Sequence, residues 1–163
     1  GLQSRVRIVI NGVPGNDLGA FMDGPTLIVK SNGQDGIGNT MNAGKIVVHG
    51  RAGDIIGHTM RGGRIYIKES AGYRVGIHMK SFEEMFPVIM IGGNAGDFLG
   101  EYMAGGLLIV LGLSCGDPRS IVGRFCGTGM HNGTIYLRGN VDDYQLGKEV
   151  KQFKADKNDM DSL

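Results

Sequence analysis

Cysteine is scarce and tryptophan is absent from this chain of 163 residues. The two cysteines, Cys115 and Cys126, are too few for a disulfide scaffold or, by themselves, for an iron–sulfur cluster. We therefore expect a reducing, cytoplasmic setting. No stretch approaches the roughly 18 continuous apolar residues of a membrane-spanning helix, and no signal peptide is visible at the start. A membrane is therefore not expected as a partner.

An excess of one charge is also lacking. The formal net charge is +1, and no run of Lys or Arg stands out. Nucleic-acid-binding domains carry a basic patch or stripe, so nucleic acid is not expected as a partner either. Hydrophobic residues make up 41% of the chain, which is enough to bury the core of one domain.

Glycine is what the chain has in excess, with 30 residues against an average share of about 7%. There is no Gly-X-Y period, which excludes collagen. Instead the glycines follow a repeat that is marked by methionine. Spacings of 19, 19, 19, 24 and 27 residues separate Met22, Met41, Met60, Met79, Met103 and Met130. Three residues before each methionine stands a glycine: Gly19, Gly38, Gly57, Gly76, Gly100 and Gly127.

Apolar columns run through the same repeat, whose module reads G-D-x-x-G-x-x-M-x-G-G-x-I-x-V. Four residues before Met the column is Leu18, Ile37, Ile56, Val75, Leu99 and Cys126. Five and seven residues after Met lie two more, for example Leu27, Ile46 and Ile65, and Val29, Val48 and Ile67. The fourth module joins them through Ile89 and Ile91 if a five-residue insertion is allowed. Columns of this kind predict equivalent residues stacked about 4.8 Å apart, as in adjacent parallel strands.

The sequence therefore predicts an all-β fold, a single-stranded right-handed parallel β-helix of about six to seven coils with a short C-terminal tail. We assign residues 1–140 to the β-helix and 141–163 to a tail that forms a capping helix or is disordered. The repeated glycines are interpreted as structural, because glycine supplies corners with positive φ and lets backbones approach closely. A dinucleotide-binding interpretation fails, because no module has room for the helix that such a motif requires.

The repeat resembles a known family. The segment "GNAGDFLGEYMAGGLLIVLG" (Gly93–Gly112) is similar to the glycine-repeat β-helix domain at the C-terminal end of the glutamate synthase large subunit, and "GTGMHNGTIYLRG" (Gly127–Gly139) fits the same pattern. The resemblance covers about Gly15 to Gly139. One of the subunits of formylmethanofuran dehydrogenase resembles the same repeat.

The resemblance implies a non-catalytic role. In glutamate synthase this domain braces a glutamine amidotransferase domain against a flavin domain that carries FMN and an iron–sulfur cluster, and the enzyme makes glutamate from glutamine and 2-oxoglutarate. We expect this chain to hold no cofactor and no catalytic residue, and to have the amidotransferase and FMN-binding subunits or domains as partners. A formylmethanofuran-dehydrogenase-type complex, a small hydrolase and a homo-oligomer remain alternatives.

Few residues suggest chemistry of their own. The histidines (His49, His58, His78 and His131) form no repeated column and no HxH or HExxH pattern, so we interpret them as surface or corner residues rather than metal ligands. Cys126 is expected to be a buried small hydrophobe. A hydrolase would have to use Cys115 or Ser114, with His131 as the candidate base. Asp17, Asp54 and Asp97 recur near the first glycine of their modules and are interpreted as caps of backbone N–H groups rather than as calcium ligands.

One row of residues departs from the pattern of a solvated face. Side chains six residues after Met should point outward, yet they are Ile28, Val47, Tyr66, Met90, Ile109 and Tyr136. Such a stripe would be about 24 Å long, and exposed apolar patches of this size mark interfaces. We predict that it contacts another subunit or is covered by the chain's own tail.

Two shorter segments carry signals of their own. "RVRIVI" (Arg5–Ile10) is predicted to be the first strand, ahead of the first full module. "SFEEMFP" (Ser81–Pro87) starts with the Ser-x-x-Glu pattern of a capping box and is predicted to form one helical turn.

Overall fold

The computed structural model describes residues 5–113, 116 and 121–161. Seven parallel strands form one sheet in sequence order. They are β1 (Arg7–Ile10), β2 (Asp23–Val29), β3 (Ala43–Val48), β4 (Arg64–Ile67), β5 (Val88–Ile91), β6 (Ala104–Val110) and β7 (Asn132–Leu137). Each module contributes one strand, which pairs in parallel with the strand of the preceding module. The chain therefore winds as a solenoid. The all-β solenoid is confirmed, and the strand at Arg5–Ile10 appears as β1.

The register of the strands follows the sequence repeat. Ile46 pairs with Ile65, and Ile65 pairs with Ile89, so the inward columns are continuous. The predicted five-residue insertion in the fourth module is confirmed by the second pair. The methionines that mark the repeat are buried from Met22 to Met103, and Met130 at the last coil is half-buried. The core is therefore a set of stacked ladders, in which each coil is covered by its two neighbours.

Opposite the sheet, each coil turns through a tight corner. Backbone hydrogen bonds link neighbouring corners alternately: Gly38 N donates to Leu18 O of the preceding coil (2.9 Å), and Thr40 N donates to His58 O of the next (2.8 Å). The glycines three residues before Met all have φ between 69° and 74°. A Cβ atom on Gly100 would lie 2.8 Å from Cδ1 of Ile135, the inward residue of the next coil. Both positive φ and close approach therefore require glycine at this column.

Glycine is not the only residue with positive φ in the corners. Two further columns, five residues and one residue before Met, take the left-handed conformation with ordinary side chains. Their non-glycine members are Asp17, Ile55, Arg74, Phe98 and Phe125, and Phe21, Thr40, Thr59, His78 and Tyr102, with φ between 51° and 61°. A β-branched residue in this region is a genuine outlier. The stacked hydrogen bonds of the corners hold these residues in a conformation that their own preferences oppose.

The segment Ser81–Pro87 does not form the predicted helical turn. Phe82 and Met85 form an antiparallel bridge, with Phe82 N donating to Met85 O (3.2 Å) and Met85 N to Phe82 O (2.9 Å). Glu83 lies between them with a φ of 53°. The insertion is thus a two-residue hairpin turn. The capping-box pattern was misleading because β5 starts only a few residues later and leaves no room for a helix to propagate.

The C-terminal segment closes the last coil. A 3-10 helix covers Asp143–Gln145, and a short α-helix, α1, covers Lys157–Asp161. The Gln145 side chain is buried, and its Nε2 donates to Val122 O (2.6 Å). Leu146 bridges to Cys126 in the parallel sense. Residues 145–150 therefore continue the stacking of the coils beyond β7.

Candidate interaction surface

The predicted stripe is a continuous row on the outer face of the sheet. The strand register pairs Ile28 with Val47, and the row continues through Tyr66, Met90, Ile109 and Tyr136. Val9 of β1 pairs with Ile28 and lengthens the row by one residue. Ile109 is 5% exposed, whereas the other five predicted residues are half-buried. Its role as an interface stays a prediction.

Basic residues flank this apolar row on both sides. On one side the register aligns the exposed Arg7, Lys45 and Arg64. On the other side lie the exposed residues Lys30, His49, Lys68 and Arg138, whose backbone N–H groups extend the ladder past the strand ends. Within the rows that the structure describes, neither side carries Asp or Glu. We call this surface, the apolar row with its two basic sides, the sheet face.

The sheet face shows a clustering of basic residues that the sequence does not reveal. These residues are at least a full module apart in the sequence and therefore form no run. The parallel register places several of them on adjacent strands, about 4.8 Å apart, as for Lys45 and Arg64. Folding thus creates a positive surface on a chain whose net charge is only +1. Such a surface favours a partner with carboxylates.

The tail meets the sheet face at one end of the row. The hydroxyl of Tyr136 donates to Oδ1 of Asp159 in α1 (2.7 Å). This hydrogen bond raises the pKa of Tyr136 above its usual value of about 10. The pKa of Asp159 is lowered, first by the N–H of Asp156 and then by the Tyr136 hydroxyl. A carboxylate-bearing helix therefore already occupies the last position of the row, as the tail alternative predicted for this residue.

A second cluster lies at the corner, opposite the sheet face. The Arg74 guanidinium lies 5.3 Å from the ring centroid of Phe98, which stacks on Phe125 at 5.0 Å. Arg74 Nε lies 3.0 Å from Oε2 of the buried Glu101, an ion pair without well-directed hydrogen bonding. The Glu101 side chain is 10% exposed and the Arg74 side chain 43%, so water is kept from the carboxylate but still reaches part of the guanidinium.

This corner cluster was not predicted from the sequence. Arg74, Phe98 and Phe125 all lie five residues before a methionine, in one of the left-handed columns. Reading that column across modules would have placed them side by side. Their residue types differ too much from coil to coil for the column to be noticed as a repeat.

Two of the four histidines come together at the same corner. His58 and His78 have ring centroids 6.2 Å apart, and His78 stacks on Tyr102 at 5.2 Å. The histidines thus form no column in the sequence, but His58 and His78 are neighbours in space. Across the described residues, no group of three or more His, Cys, Asp or Glu side chains is arranged to hold a metal ion. His49 and His131 are exposed.

The cysteine chemistry is limited to one described residue. Cys126 is buried, and burial raises the pKa of its thiol to about 12. The neutral thiol is a weak nucleophile, which fits the expected structural role. Cys115 and Ser114, the hydrolase candidates, lie outside the described residues.

The corner carboxylates accept backbone hydrogen bonds from the next coil. Asp54 Oδ1 accepts from Tyr73 N (3.0 Å), and Asp97 Oδ1 accepts from Arg124 N (2.8 Å). In the first coil this position belongs to Asn16, which accepts from Asp35 N (3.2 Å). Asp17 instead accepts from the side chain of Asn39 (3.1 Å). The capping role is thus confirmed for Asp54 and Asp97, and for Asp17 it is wrong.

Comparison with known proteins identifies the family to which this repeat belongs. The profile of the GXGXG motif family matches residues 1–161. The chain belongs to the GXGXG motif family. This match agrees with the resemblance to the glycine-repeat domain of glutamate synthase. An uncharacterized protein of Methanocaldococcus jannaschii is 51% identical over 158 residues. The alignment covers 94% of this chain and 60% of that relative, so the chain spans about three fifths of the relative's length.

The secondary structure also bears on membrane association. Among the helices of the described residues, none is both long and apolar enough to cross a membrane.

Proposed function

We propose that this chain is a non-catalytic structural component of a glutamate-synthase-type complex. Its sheet face would dock on the glutamine amidotransferase and FMN-binding subunits or domains, which would carry the FMN and the iron–sulfur cluster. Membership of the GXGXG motif family supports the type of complex. The observation that carries the docking role is the unbroken row from Ile28 to Tyr136, which basic residues flank on both sides along β1 to β4 and Arg138 flanks at its far end.

The physical role follows from the solenoid. Stacked coils that share hydrogen bonds along every strand make a stiff body whose length is set by the number of coils. Such a body can hold two partners at a fixed distance. The half-buried row supplies apolar contact area, and the exposed Lys45, Arg64, Lys68 and Arg138 supply orientation through partner carboxylates.

Charge reversal tests docking without touching the core. Lys45 and Arg64 are exposed and adjacent in register, so Lys45→Glu with Arg64→Glu should leave the fold intact. Lys80→Glu with Lys148→Glu makes the same charge change at exposed positions away from the sheet face. Tagged chains are used to recover partners from a lysate of the source organism, and the recovered proteins are identified by mass spectrometry.

We expect the unaltered chain and the Lys80/Lys148 variant to recover amidotransferase and flavin subunits. The Lys45/Arg64 variant should lose them, and recovery by the unaltered chain should weaken at high salt, since screening reduces the attraction between charges. Recovery of a molybdenum or tungsten enzyme would replace this proposal with the formylmethanofuran-dehydrogenase-type complex. Equal recovery by both variants would overturn docking through the sheet face.

The hydrolase alternative has a separate test. Turnover of ester or amide substrates by the purified chain, abolished by Cys115→Ala or Ser114→Ala, would replace the structural role with a catalytic one.

A further inference from the structure

We propose that the sheet face of this chain binds the sheet face of a second copy, and that a hairpin of each copy contacts the basic side of the other. The hairpin is the segment Ser81–Pro87, which precedes β5. The inference concerns the chain by itself and is independent of the proposed function. Partner subunits that dock on the sheet face displace the second copy.

The coil that carries the hairpin does not need it for closure. The first three modules repeat after 19 residues, and β4 and β5 pair in register across the insertion, Ile65 with Ile89. Pro87 lies two residues before Ile89, as Pro25 lies two residues before Leu27 in the first module. The five residues from Phe82 to Phe86 are therefore an addition to a complete coil, and their contribution lies at the surface.

The hairpin presents apolar and acidic side chains together. Phe82 and Phe86 are 47% and 56% exposed, and Glu83 and Glu84 between them are exposed as well. Within the described part of the chain, neither carboxylate takes part in an ion pair. Two rings with two carboxylates are complementary to an apolar row with basic sides. The chain itself carries that surface, so the complementarity selects a second copy.

The hairpin lies at the same edge of the sheet as Lys45 and Arg64. A Cβ added to Gly62, two residues before Arg64, would lie 3.0 Å from Cβ of Met85, so the hairpin packs against the coil at the start of β4. The two backbone hydrogen bonds between Phe82 and Met85 keep the turn closed. A hairpin held in this way loses little conformational freedom when it binds.

A two-fold axis satisfies the row and the hairpin at once. The axis runs parallel to the strands, between the two sheet faces and midway between β4 and β5. Packed sheets lie about 10 Å apart, and here β4 lies over β5 of the other copy, β3 over β6 and β2 over β7. The six residues of the row then pair among themselves: Tyr66 with Met90, Val47 with Ile109, and Ile28 with Tyr136. Such a self-complementary contact closes after two copies.

The same axis keeps most like charges apart. The strands point the same way in both copies, so the hairpin before β5 of one copy meets Arg64 at the start of β4 in the other. Arg64 and Lys45 lie opposite uncharged residues of β5 and β6. Of the basic residues beside the row, Lys30 and Arg138 face each other, at the outer ends of the contact.

Deletion of residues 82–86 tests the role of the hairpin. It restores a spacing of 19 residues between Met79 and Met103 and leaves Pro87 in the place that Pro25 holds. The fold should therefore persist, which circular dichroism checks. The molar mass of each purified chain is measured by light scattering across a dilution series. We expect a dimer of the unaltered chain that dissociates on dilution, and a folded monomer after the deletion.

A charge exchange tests the contact itself and does not depend on the deletion. Glu83→Lys with Glu84→Lys, and separately Arg64→Glu, should each raise the dimer dissociation constant by about tenfold or more, since each contact occurs twice in the dimer and becomes repulsive. All three substitutions in one chain should restore the dimer. Lys148→Glu is the control, because it makes the same charge change as Arg64→Glu at an exposed position away from the sheet face.

Three results would overturn the proposal. The first is a monomer of the unaltered chain at every concentration. The second is a dimer that the folded deletion variant retains at full strength. The third is a failure of the combined substitutions to recover the dimer that each set weakens, because the hairpin would then not meet Arg64 of the other copy.

Discussion

The two ends of the solenoid show how the same core is completed in different ways. At the C-terminal end, the side chain of Val150 lies against Gly127, just as Ile89 lies against Gly57 within the stack. A non-repeat segment thus supplies the apolar contact that the next coil would have made. At the N-terminal end, Ile8 belongs to the same inward column as Leu27, yet it is 38% exposed.

This difference shows that a coil is stabilised by its neighbour rather than by its own sequence. In a solenoid, stability is approximately a sum of nearest-neighbour terms. Substitutions should therefore lower the free energy of unfolding most inside the stack and less at the C-terminal end, which the chain's own tail closes. The effect should be small where a side chain has no neighbouring coil. Substitutions in these three places test that ranking.

The largest effect is expected inside the stack, for Gly57→Ala. Gly57 has a φ of 69°, and an added Cβ would overlap Cδ1 of Ile89. Left-handed backbone costs an ordinary residue about 1–2 kcal/mol, and overpacking a core costs about 1–3 kcal/mol. We expect the free energy of unfolding to fall by about 2–4 kcal/mol in urea denaturation.

Gly12→Ala is the matched control for Gly57→Ala. No atom lies within 4 Å of a Cβ at Gly12, and its φ lies outside the left-handed region. We expect a change within about 0.5 kcal/mol, as for ordinary surface substitutions. Equal effects of the two substitutions would show that the corner glycines are not under the constraint that the geometry gives them.

An intermediate effect is expected at the closed end, for Gln145→Ala. Its Nε2 donates to Val122 O, and its Oε1 accepts from Asp142 N (3.0 Å). Removing a buried partner costs about 1–3 kcal/mol for the group left unsatisfied. Lys148→Ala, at an exposed position of the same segment, should be close to neutral. Thermal unfolding followed by circular dichroism measures both variants.

Gln145→Ala should also expose Cys126, because the backbone N of Cys126 donates to Gln145 O (2.8 Å). In a Cys115→Ser background, the thiol of Cys126 should react very slowly with a disulfide reagent, because burial raises its pKa to about 12. Gln145→Ala should speed this reaction by loosening the segment that covers it. An unchanged rate would mean that the thiol is protected by its own coil rather than by the closing segment.

The repeat made most of the fold predictable. A column such as Ile46, Ile65 and Ile89 constrains both the register and the side of the sheet, because a slip by one residue would turn the whole column outward. Even the five-residue insertion before β5 could be located, since the columns resume after it. The shape of that insertion could not be predicted, because Ser81 and Glu84 fit a local helix signal that the short connection overrides.

The surfaces were only partly predictable. The apolar row was found because its members are alike, whereas Lys45, Arg64 and Lys68 are scattered and single in the sequence. The corner cluster of Arg74, Phe98 and Glu101 was missed because it depends on left-handed positions that ordinary residues rarely occupy. A surface can be predicted from the sequence when the residues of its column are alike. When they differ, the surface is recognised only in the structure.

The smallest effect is expected at the contact between α1 and the row, and it depends on pH. The lowered pKa of Asp159 means that its contribution is present above the unfolded value of about 3.9 and is lost as pH falls through the folded pKa. The raised pKa of Tyr136 means that its contribution is present below about 10 and is lost as pH rises through the folded pKa. We expect α1 to stay docked between these limits and to detach beyond either one.

Tyr136→Phe distinguishes the acid transition of Asp159 from the alkaline transition of Tyr136. It removes the hydroxyl that donates to Asp159, so the alkaline transition should disappear. An acid transition should remain, because Asp156 N still donates to Asp159 Oδ2 (2.8 Å) within the tail. Tyr144→Phe, at a tyrosine that is 66% exposed, should keep both transitions. The amide resonance of Asp159 followed by NMR across the pH range reports both transitions, and an alkaline transition that survives in Tyr136→Phe would assign it to a group other than this hydroxyl.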